Sequence, residues 1–160
     1  MEKIIILGVG NILMQDEGFG VRVVEELTRC YRFPDNVQVL DGGTLGMELL
    51  RFVTGADRLL IIDAVSGGGS PGDLYHFAND EVKAYFKNKV SLHELGIQDV
   101  LAALELLEQP VREVVILGIQ PAVIDVGLEL SETVQPGVAA TAGRVLAILQ
   151  GWRINSLPLT

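Results

Sequence analysis

Short apolar runs alternate with longer amphipathic segments along the whole chain. The runs are apolar at nearly every position, which predicts strands that are covered on both faces. The longer segments repeat apolar residues every three or four positions, which predicts helices with one buried face. The predicted strands are residues 3–7, 37–41, 58–63, 113–118 and, as a short edge strand, 73–77. The predicted helices are residues 18–31, 44–54, 80–87, a segment that begins at 92, and 133–150.

The alternation of strands and helices predicts an α/β fold. We expect a three-layer sandwich, in which a twisted, mainly parallel sheet of about five strands has helices on both faces. The first strand should be central, flanked by the second and third. No linker divides the chain, so residues 1–160 are predicted to form a single domain whose tail after about residue 152 is loosely ordered. Functional groups in such sheets collect at the carboxyl ends of the strands.

Composition and charge narrow the range of partners. The chain has 21 acidic and 12 basic residues and a net charge of −9 at pH 7. Nucleic acid and anionic membranes need a positive protein surface, so neither is an expected partner. One cysteine, Cys30, excludes a disulfide framework and a multi-cysteine zinc site. The sequence has no apolar stretch of about 20 residues and no signal-sequence pattern, which predicts a soluble, cytoplasmic protein.

The most informative segment is GVGNILMQDEGFG, residues 8–20. A glycine-rich turn between a strand and a helix commonly binds phosphate through backbone N–H groups. This turn contains two adjacent acids, Asp16 and Glu17, whose carboxylates would repel phosphate and would suit a metal cation. The dinucleotide fingerprint G-x-G-x-x-G also fails, because its third glycine would stand at Leu13. A Rossmann-type nucleotide-binding protein is therefore the weaker alternative.

Three more candidate residues are expected at the same edge of the sheet. Asp41 closes the second predicted strand, Asp63 closes the third, and His93 lies where a loop enters a helix. Glu17, Asp63 and His93 together offer two carboxylates and one imidazole. This mixed oxygen and nitrogen set suits a divalent borderline metal such as nickel, zinc or cadmium.

A capping pattern supports the choice of His93. Ser91 and Glu94 fit the S-x-x-E capping box, which predicts a helix beginning at Leu92. His93 would then be the second helical residue, where the helix dipole favours the neutral imidazole that a metal requires.

Each acid also has an ordinary structural explanation. Asp41 precedes Gly42 and Gly43 and fits a turn former, and a helix-capping role for Asp16 is favoured over direct chemistry. His93 taken alone fits a surface histidine. The residue pattern therefore leaves both a metal site and ordinary structural roles open.

Four motifs, in this order, resemble one known family. They are G-x-G-N-x-L-x-x-D-E-G-x-G at 8–20, L-D-G-G-T at 40–44, I-D-A at 62–64 and S-x-H-x-L-G at 91–96. The later segment GIQPAVIDVGLELS at 118–131 also resembles that family. Together they are similar to the [NiFe]-hydrogenase maturation endopeptidases, over nearly the whole chain.

The resemblance implies a function and a substrate. Enzymes of this family remove a short C-terminal extension from the hydrogenase large-subunit precursor after nickel has been inserted. It further implies that Glu17, Asp63 and His93 contact nickel that the precursor supplies, although other divalent metals could occupy the site. Asp41 matches the acid of the family's D-G-G-T motif, and Asp41 and Asp16 are both candidates for the general base. The alternative is a non-catalytic nickel-binding assembly factor with the same three ligands.

Overall fold

The computed structural model describes residues 1–43, 46–87 and 92–159, and the side chains of residues 87 and 92–96 lie outside this description. The strands are β1 (Ile4–Val9), β2 (Tyr31–Arg32), β3 (Val37–Gly43), β4 (Arg58–Ala64), β5 (Leu74–Ala78), β6 (Glu113–Ile119) and β7 (Leu157–Pro158). The helices are α1 (Phe19–Cys30), α2 (Leu50–Val53), α3 (Asp80–Lys87), α4 (Leu92–Leu106) and α5 (Pro136–Gly151). Short 3-10 segments, Gln15–Gly18 and Met47–Leu49, precede α1 and α2.

Five strands form the central sheet in the order β3-β1-β4-β6-β5. The β1/β3, β1/β4 and β4/β6 pairs are parallel, and β5 runs antiparallel to β6 at one edge. The α/β fold, the mainly parallel sheet and the placement of the first strand between the second and third predicted strands are therefore confirmed, whereas β4, and not β1, occupies the centre of the five strands. The carboxyl ends of β1, β3, β4 and β6 meet at one edge of this sheet, which we call the carboxyl edge.

Two apolar cores lie on opposite faces of the sheet, as a three-layer sandwich requires. All six residues of β1 are buried, because alternate side chains enter alternate cores. Ile4 and Ile6 pack with α1 and α5, whereas Ile5 and Leu7 pack with α2, α3 and α4.

The described part of the chain contains no candidate for a membrane-spanning helix, because none of its helices has the necessary length and apolar character.

Helix α1 approaches the sheet unusually closely, and Gly20 permits this contact. A Cβ atom at Gly20 would lie 2.0 Å from the carbonyl oxygen of Ile62 and 2.6 Å from that of Val9. Both contacts involve backbone atoms of the sheet, which cannot move aside independently. The glycine therefore fixes the height of α1 above β1 and β4.

Gly20→Ala is expected to destabilise the protein by about 1–3 kcal/mol, because the added methyl group would push α1 away from the sheet. Gly143→Ala is the matched control, since Gly143 is exposed in α5 and its added Cβ would have no neighbour within 4 Å. The control should raise stability by about 0.5–1 kcal/mol, because alanine favours the helix. Urea denaturation measures both effects, and equal changes would contradict this account of Gly20.

The chain after α5 corrects one prediction. The tail was predicted to be loosely ordered, but β7 pairs with β2 in an antiparallel ladder, and the N–H of Leu159 donates to the carbonyl oxygen of Cys30 at 2.8 Å. Trp152 and Ile154 also pack against the core beneath α5. The packing of these two partly buried side chains and the pairing of β7 with β2 hold the tail against the domain.

The predicted helix at 44–54 is shorter than expected. A 3-10 segment and α2 together span 47–53, and residues 44 and 45 lie outside the described part of the chain. The predicted cap at Thr44 therefore stays a prediction.

Candidate metal-contact site at the carboxyl edge

The first loop folds back on itself at Gly10, which has a φ of +133°. A Cβ atom at this position would lie 1.9 Å from the carbonyl oxygen of Glu17 and 3.6 Å from Oδ1 of Asp63. Only glycine combines this backbone conformation with so close a contact. Gly10 therefore brings the backbone of Glu17, whose side chain is half-buried, next to the Asp63 carboxylate.

Asp63 is a buried carboxylate at the end of β4. It is only 4% exposed, and its Oδ1 accepts a hydrogen bond from the N–H of Ala64 at 2.8 Å. Leu59 and Ile61 of the same strand belong to the core shared with α2, α3 and α4, so strand alternation directs Asp63 towards that face. A buried carboxylate is costly, and such groups are concentrated at functional sites.

The backbone of His93 lies within helix α4 (Leu92–Leu106). This helix packs on the same face of the sheet towards which Asp63 points. The imidazole of His93 and the Ser91–Glu94 capping box lie outside the described residues and side chains. Among the side chains that the structure describes, no three His, Cys, Asp or Glu residues form a metal-binding group. The Glu17, Asp63 and His93 trio therefore stays a prediction.

Asp16 is fully buried and accepts four hydrogen bonds from a distant loop. Its Oδ2 accepts from the N–H groups of Ala122 and Val123, at 2.9 and 2.8 Å, and from the Ser131 hydroxyl at 2.8 Å. Its Oδ1 accepts from the N–H of Ser131 at 2.7 Å. We call this set of contacts the Asp16 clamp. It fastens the loop between β6 and α5 onto the loop that contains Glu17.

The electrostatics of Asp16 suit a structural anion. Burial alone raises its pKa, but the hydrogen bonds from Val123, Ser131 and Ala122 outweigh burial and hold the pKa below its ordinary value. Asp16 does not cap α1, because Gly18 occupies the N-cap position without a side-chain hydrogen bond. This geometry favours a positioning role for Asp16 over direct proton transfer.

Further backbone contacts join the same two loops. Met14 and Gly127 form an isolated parallel bridge, and the N–H of Gln15 donates to the carbonyl oxygen of Gly127 at 3.0 Å. The N–H of Gly127 in turn donates to the carbonyl oxygen of Leu13 at 2.9 Å. The family-like segment at 118–131, which ends at Ser131, is the part of the sequence that indicates a role for this loop.

Asp41 lies apart from Asp63 across the sheet. Asp41 pairs with Gly8 on β1, and Gly8 pairs with Ile62 on β4. The Ile62 side chain lies in the core that packs against α1 and α5. Strand alternation therefore directs Asp41 and Asp63 to opposite faces. Asp41 is exposed, and its Oδ1 accepts a hydrogen bond from the N–H of Gly43 at 2.8 Å. The structure thus places Asp41 at the predicted edge, within β3 where the pairing with β1 shifts register, without bringing it onto the same face as Asp63.

Comparisons with known proteins agree with this arrangement over almost the full chain. A family model described as hydrogenase maturation protease matches residues 21–148. The hydrogenase 2 maturation protease of Escherichia coli (strain K12) is 41% identical over 157 residues, which cover 98% of this chain and 96% of that protein. The hydrogenase expression/formation protein HupD of Bradyrhizobium diazoefficiens is 42% identical over 155 residues, covering 96% of this chain and 81% of that protein.

Solved structures show the same relationship. The hydrogenase maturating endopeptidase HybD from E. coli superposes with a TM-score of 0.93 at 41% identity, covering 98% of this chain and 97% of that chain. The [NiFe] hydrogenase maturation protease HybD from Thermococcus kodakarensis superposes with a TM-score of 0.76 at 31% identity, covering 91% and 98%. The chain therefore belongs to the hydrogenase maturation protease family, and it is an endopeptidase of that family.

Proposed function

We propose that this endopeptidase removes the C-terminal extension of a nickel-loaded [NiFe]-hydrogenase large-subunit precursor, in the cytoplasm. Similarity over nearly the full chain to proteases named for hydrogenase maturation supports the reaction class. The structural observation on which the proposal rests is the approach of the Glu17 backbone to the buried Asp63 carboxylate at Gly10. The Rossmann-type alternative is set aside, because the family assignment accounts for the same loop.

Nickel is part of the substrate in this proposal. Glu17, Asp63 and His93 lie on three separate segments, and their two carboxylates and one imidazole suit a borderline cation. Three protein ligands leave coordination positions that groups of the precursor would occupy. A divalent cation without the precursor would therefore bind weakly, so that the site distinguishes a nickel-loaded precursor from an empty one.

Peptide hydrolysis also needs a group that accepts a proton from the attacking water. A cation beside the scissile carbonyl would polarise it, and a carboxylate would serve as the general base. Both carboxylate oxygens of Asp16 are already occupied within the Asp16 clamp. Asp41 is the remaining candidate for the base, because its exposed carboxylate at the carboxyl edge is accessible to water. It lies on the face of the sheet opposite Asp63, so the assignment requires the scissile peptide to cross the carboxyl edge between the two acids.

Asp41→Asn is expected to lower kcat by about a hundredfold, because general-base catalysis typically contributes a factor of this order. The amide oxygen of asparagine can still accept a hydrogen bond from the N–H of Gly43, so the local backbone at the end of β3 should persist. Asp35→Asn is the matched control, since Asp35 is exposed at the amino end of the same strand. Single-turnover cleavage measures both variants. Wild-type kcat in Asp41→Asn would assign the base elsewhere.

Incubation of the purified protein with a nickel-loaded precursor tests the proposed function. The hydrogenase 2 precursor of E. coli is a suitable first substrate, because a relative with 41% identity is named for that hydrogenase. Mass spectrometry should show loss of one C-terminal peptide from the nickel-loaded precursor and no loss from the nickel-free form. Nickel-dependent binding without cleavage would instead support the non-catalytic assembly factor.

A further inference from the structure

Six large apolar side chains are exposed on the two loops that the Asp16 clamp joins. Their exposed fractions lie between 37% and 82%. They are Ile12, Leu13, Val123, Ile124, Val126 and Leu128, and we call them the edge patch. Single exposed apolar residues are common, but a contiguous group of this kind marks a protein interaction surface.

The edge patch is held in a fixed shape. Leu13 and Gly127 are joined by a backbone hydrogen bond of 2.9 Å, which brings the two halves of the patch together. Asp16 binds the N–H of Val123 at 2.8 Å, and so fixes the first residue of the second half. A surface that is ordered before binding loses little conformational entropy when a partner docks.

The edge patch adjoins the candidate metal-contact site. Ile12 and Leu13 lie in the same loop as Glu17, between the turn at Gly10 and the 3-10 segment Gln15–Gly18. A partner seated on the patch would therefore extend over the carboxyl edge, towards the Asp63 carboxylate.

Carboxylates surround the second half of the edge patch. Asp125, Glu129 and Glu132 lie beside or just beyond its apolar residues. Arg22 and Arg29 also line this region. Arg22 donates hydrogen bonds to the carbonyl oxygen of Leu128 and to Glu25, both at 2.8 Å, and Arg29 pairs with Glu26. The rim of the patch is thus negatively charged and complementary to a basic partner.

A broad groove extends the edge patch across α1 to β3. It has a volume of about 1170 Å³ and is lined by Leu128, Leu130, Glu129, Glu132, Val39 and Asp41, among other residues. Small-molecule sites usually enclose about 300–1,000 Å³. The larger and open groove suits a polypeptide segment.

We propose that the edge patch is the docking surface for the large-subunit precursor, which would present apolar side chains flanked by basic ones. This inference rests on the proposed function and extends it to substrate recognition. A second copy of this chain is the less favoured occupant, because a two-fold symmetric contact would bring the same carboxylate rims together. The continuity of the patch with the loop that carries Glu17 favours the precursor, because the substrate of this endopeptidase must reach that loop.

The double variant Val126→Ser with Leu128→Ser tests the proposal. Its Kd for the nickel-free precursor of E. coli hydrogenase 2 should rise about tenfold or more, because the central apolar contacts are lost. The nickel-free precursor is the probe because it isolates protein docking from nickel recognition and should not be cleaved. Leu106→Ser with Leu107→Ser is the matched control, since both leucines are exposed at the far end of α4, and its Kd should stay within about twofold of wild type.

Cleavage of the nickel-loaded precursor is measured in parallel to separate the two proposals. Weaker binding of the Val126→Ser/Leu128→Ser variant supports the docking surface, whether or not wild-type protein cleaves the precursor. Equal Kd values for this variant and wild type would overturn the docking surface even if wild type cleaves. Absence of wild-type binding would overturn it too. Analytical ultracentrifugation checks the remaining outcome, in which the edge patch is a contact between two copies of this chain. A dimeric wild type and a monomeric variant, with equal affinity for the precursor, would overturn the proposal.

Discussion

Asp63→Asn is expected to lower the rate of precursor processing about a thousandfold or more while leaving the fold intact. Asparagine has nearly the same shape, and its side-chain oxygen can still accept the hydrogen bond from the N–H of Ala64. The substitution removes one of the two negative charges with which the site would hold a divalent cation beside the scissile bond. Electrostatic groups in a dry site contribute rate factors of this order.

Single-turnover cleavage of the nickel-loaded precursor, followed by mass spectrometry, measures the effect of Asp63→Asn. Asp35→Asn makes the same chemical change at the opposite edge of the sheet and should process at the wild-type rate. His93→Ala is expected to lose activity to a similar extent as Asp63→Asn. Wild-type rates in both Asp63→Asn and His93→Ala would show that the metal-contact assignment is wrong.

Asp16→Ala is expected to lower the free energy of unfolding by about 3–5 kcal/mol. The substitution leaves three N–H groups, those of Ala122, Val123 and Ser131, without their acceptor. A fully buried unsatisfied donor costs about 1–3 kcal/mol, and these three hydrogen bonds are only partly buried, so entry of water reduces the total. Asp16→Asn should recover only part of the loss, because an amide NH₂ would face a backbone donor.

The free energy of unfolding measured against pH shows whether Asp16 stabilises the protein through its charge or only through packing. The pKa of Asp16 is lower in the folded protein than in the unfolded chain, since its hydrogen bonds outweigh burial. The stabilisation is therefore fully present above the unfolded pKa of about 3.9 and is lost as the pH falls through the lower folded pKa. The difference between wild type and Asp16→Ala should narrow in that acidic range. A difference that stays constant with pH would contradict this explanation.

Two controls calibrate the Asp16 measurement in urea. Ser131→Ala removes the hydrogen bond that the hydroxyl donates to Asp16 and the longer one that it accepts from the N–H of Val134, and it should cost about 1–2 kcal/mol. Asp99→Ala changes an exposed residue of α4 and should stay within about 0.5 kcal/mol of wild type. A larger loss in Asp99→Ala than in Ser131→Ala would show that the urea series does not report on the clamp.

The layered fold could be predicted from the sequence because its strands are short and continuously apolar. The runs at 3–7, 58–63 and 113–118 supply the interior strands β1, β4 and β6 of the sheet, and the helix predicted at 133–150 forms α5, which buries Val138, Ala142, Val145 and Leu149. The tail was predicted wrongly because a two-residue strand has no detectable period. Its order depends on Trp152 and Ile154 packing against helices and strands distant in sequence.

The candidate site was only partly predictable, for a similar reason. The sequence alone shows the glycines of the first loop and the two acids at strand ends, Asp41 and Asp63. The parallel topology then places all of them at the carboxyl edge. Strand alternation then directs Asp41 and Asp63 to opposite faces of the sheet. This separation depends on the register between β1, β3 and β4, which the sequence of each strand alone does not specify. The role of Asp16 depends on backbone groups more than 100 residues away, in a loop whose path no local pattern specifies.

The central claim is that Glu17, Asp63 and His93 meet around one nickel ion. Anomalous diffraction at the nickel absorption edge, on crystals soaked in millimolar Ni²⁺, tests this claim most directly. The account predicts one anomalous peak about 2.0–2.2 Å from a Glu17 carboxylate oxygen, an Asp63 carboxylate oxygen and a ring nitrogen of His93, by analogy with zinc ligation distances. A nickel peak bound elsewhere, with the His93 ring too far from Asp63 to share a metal, would contradict it.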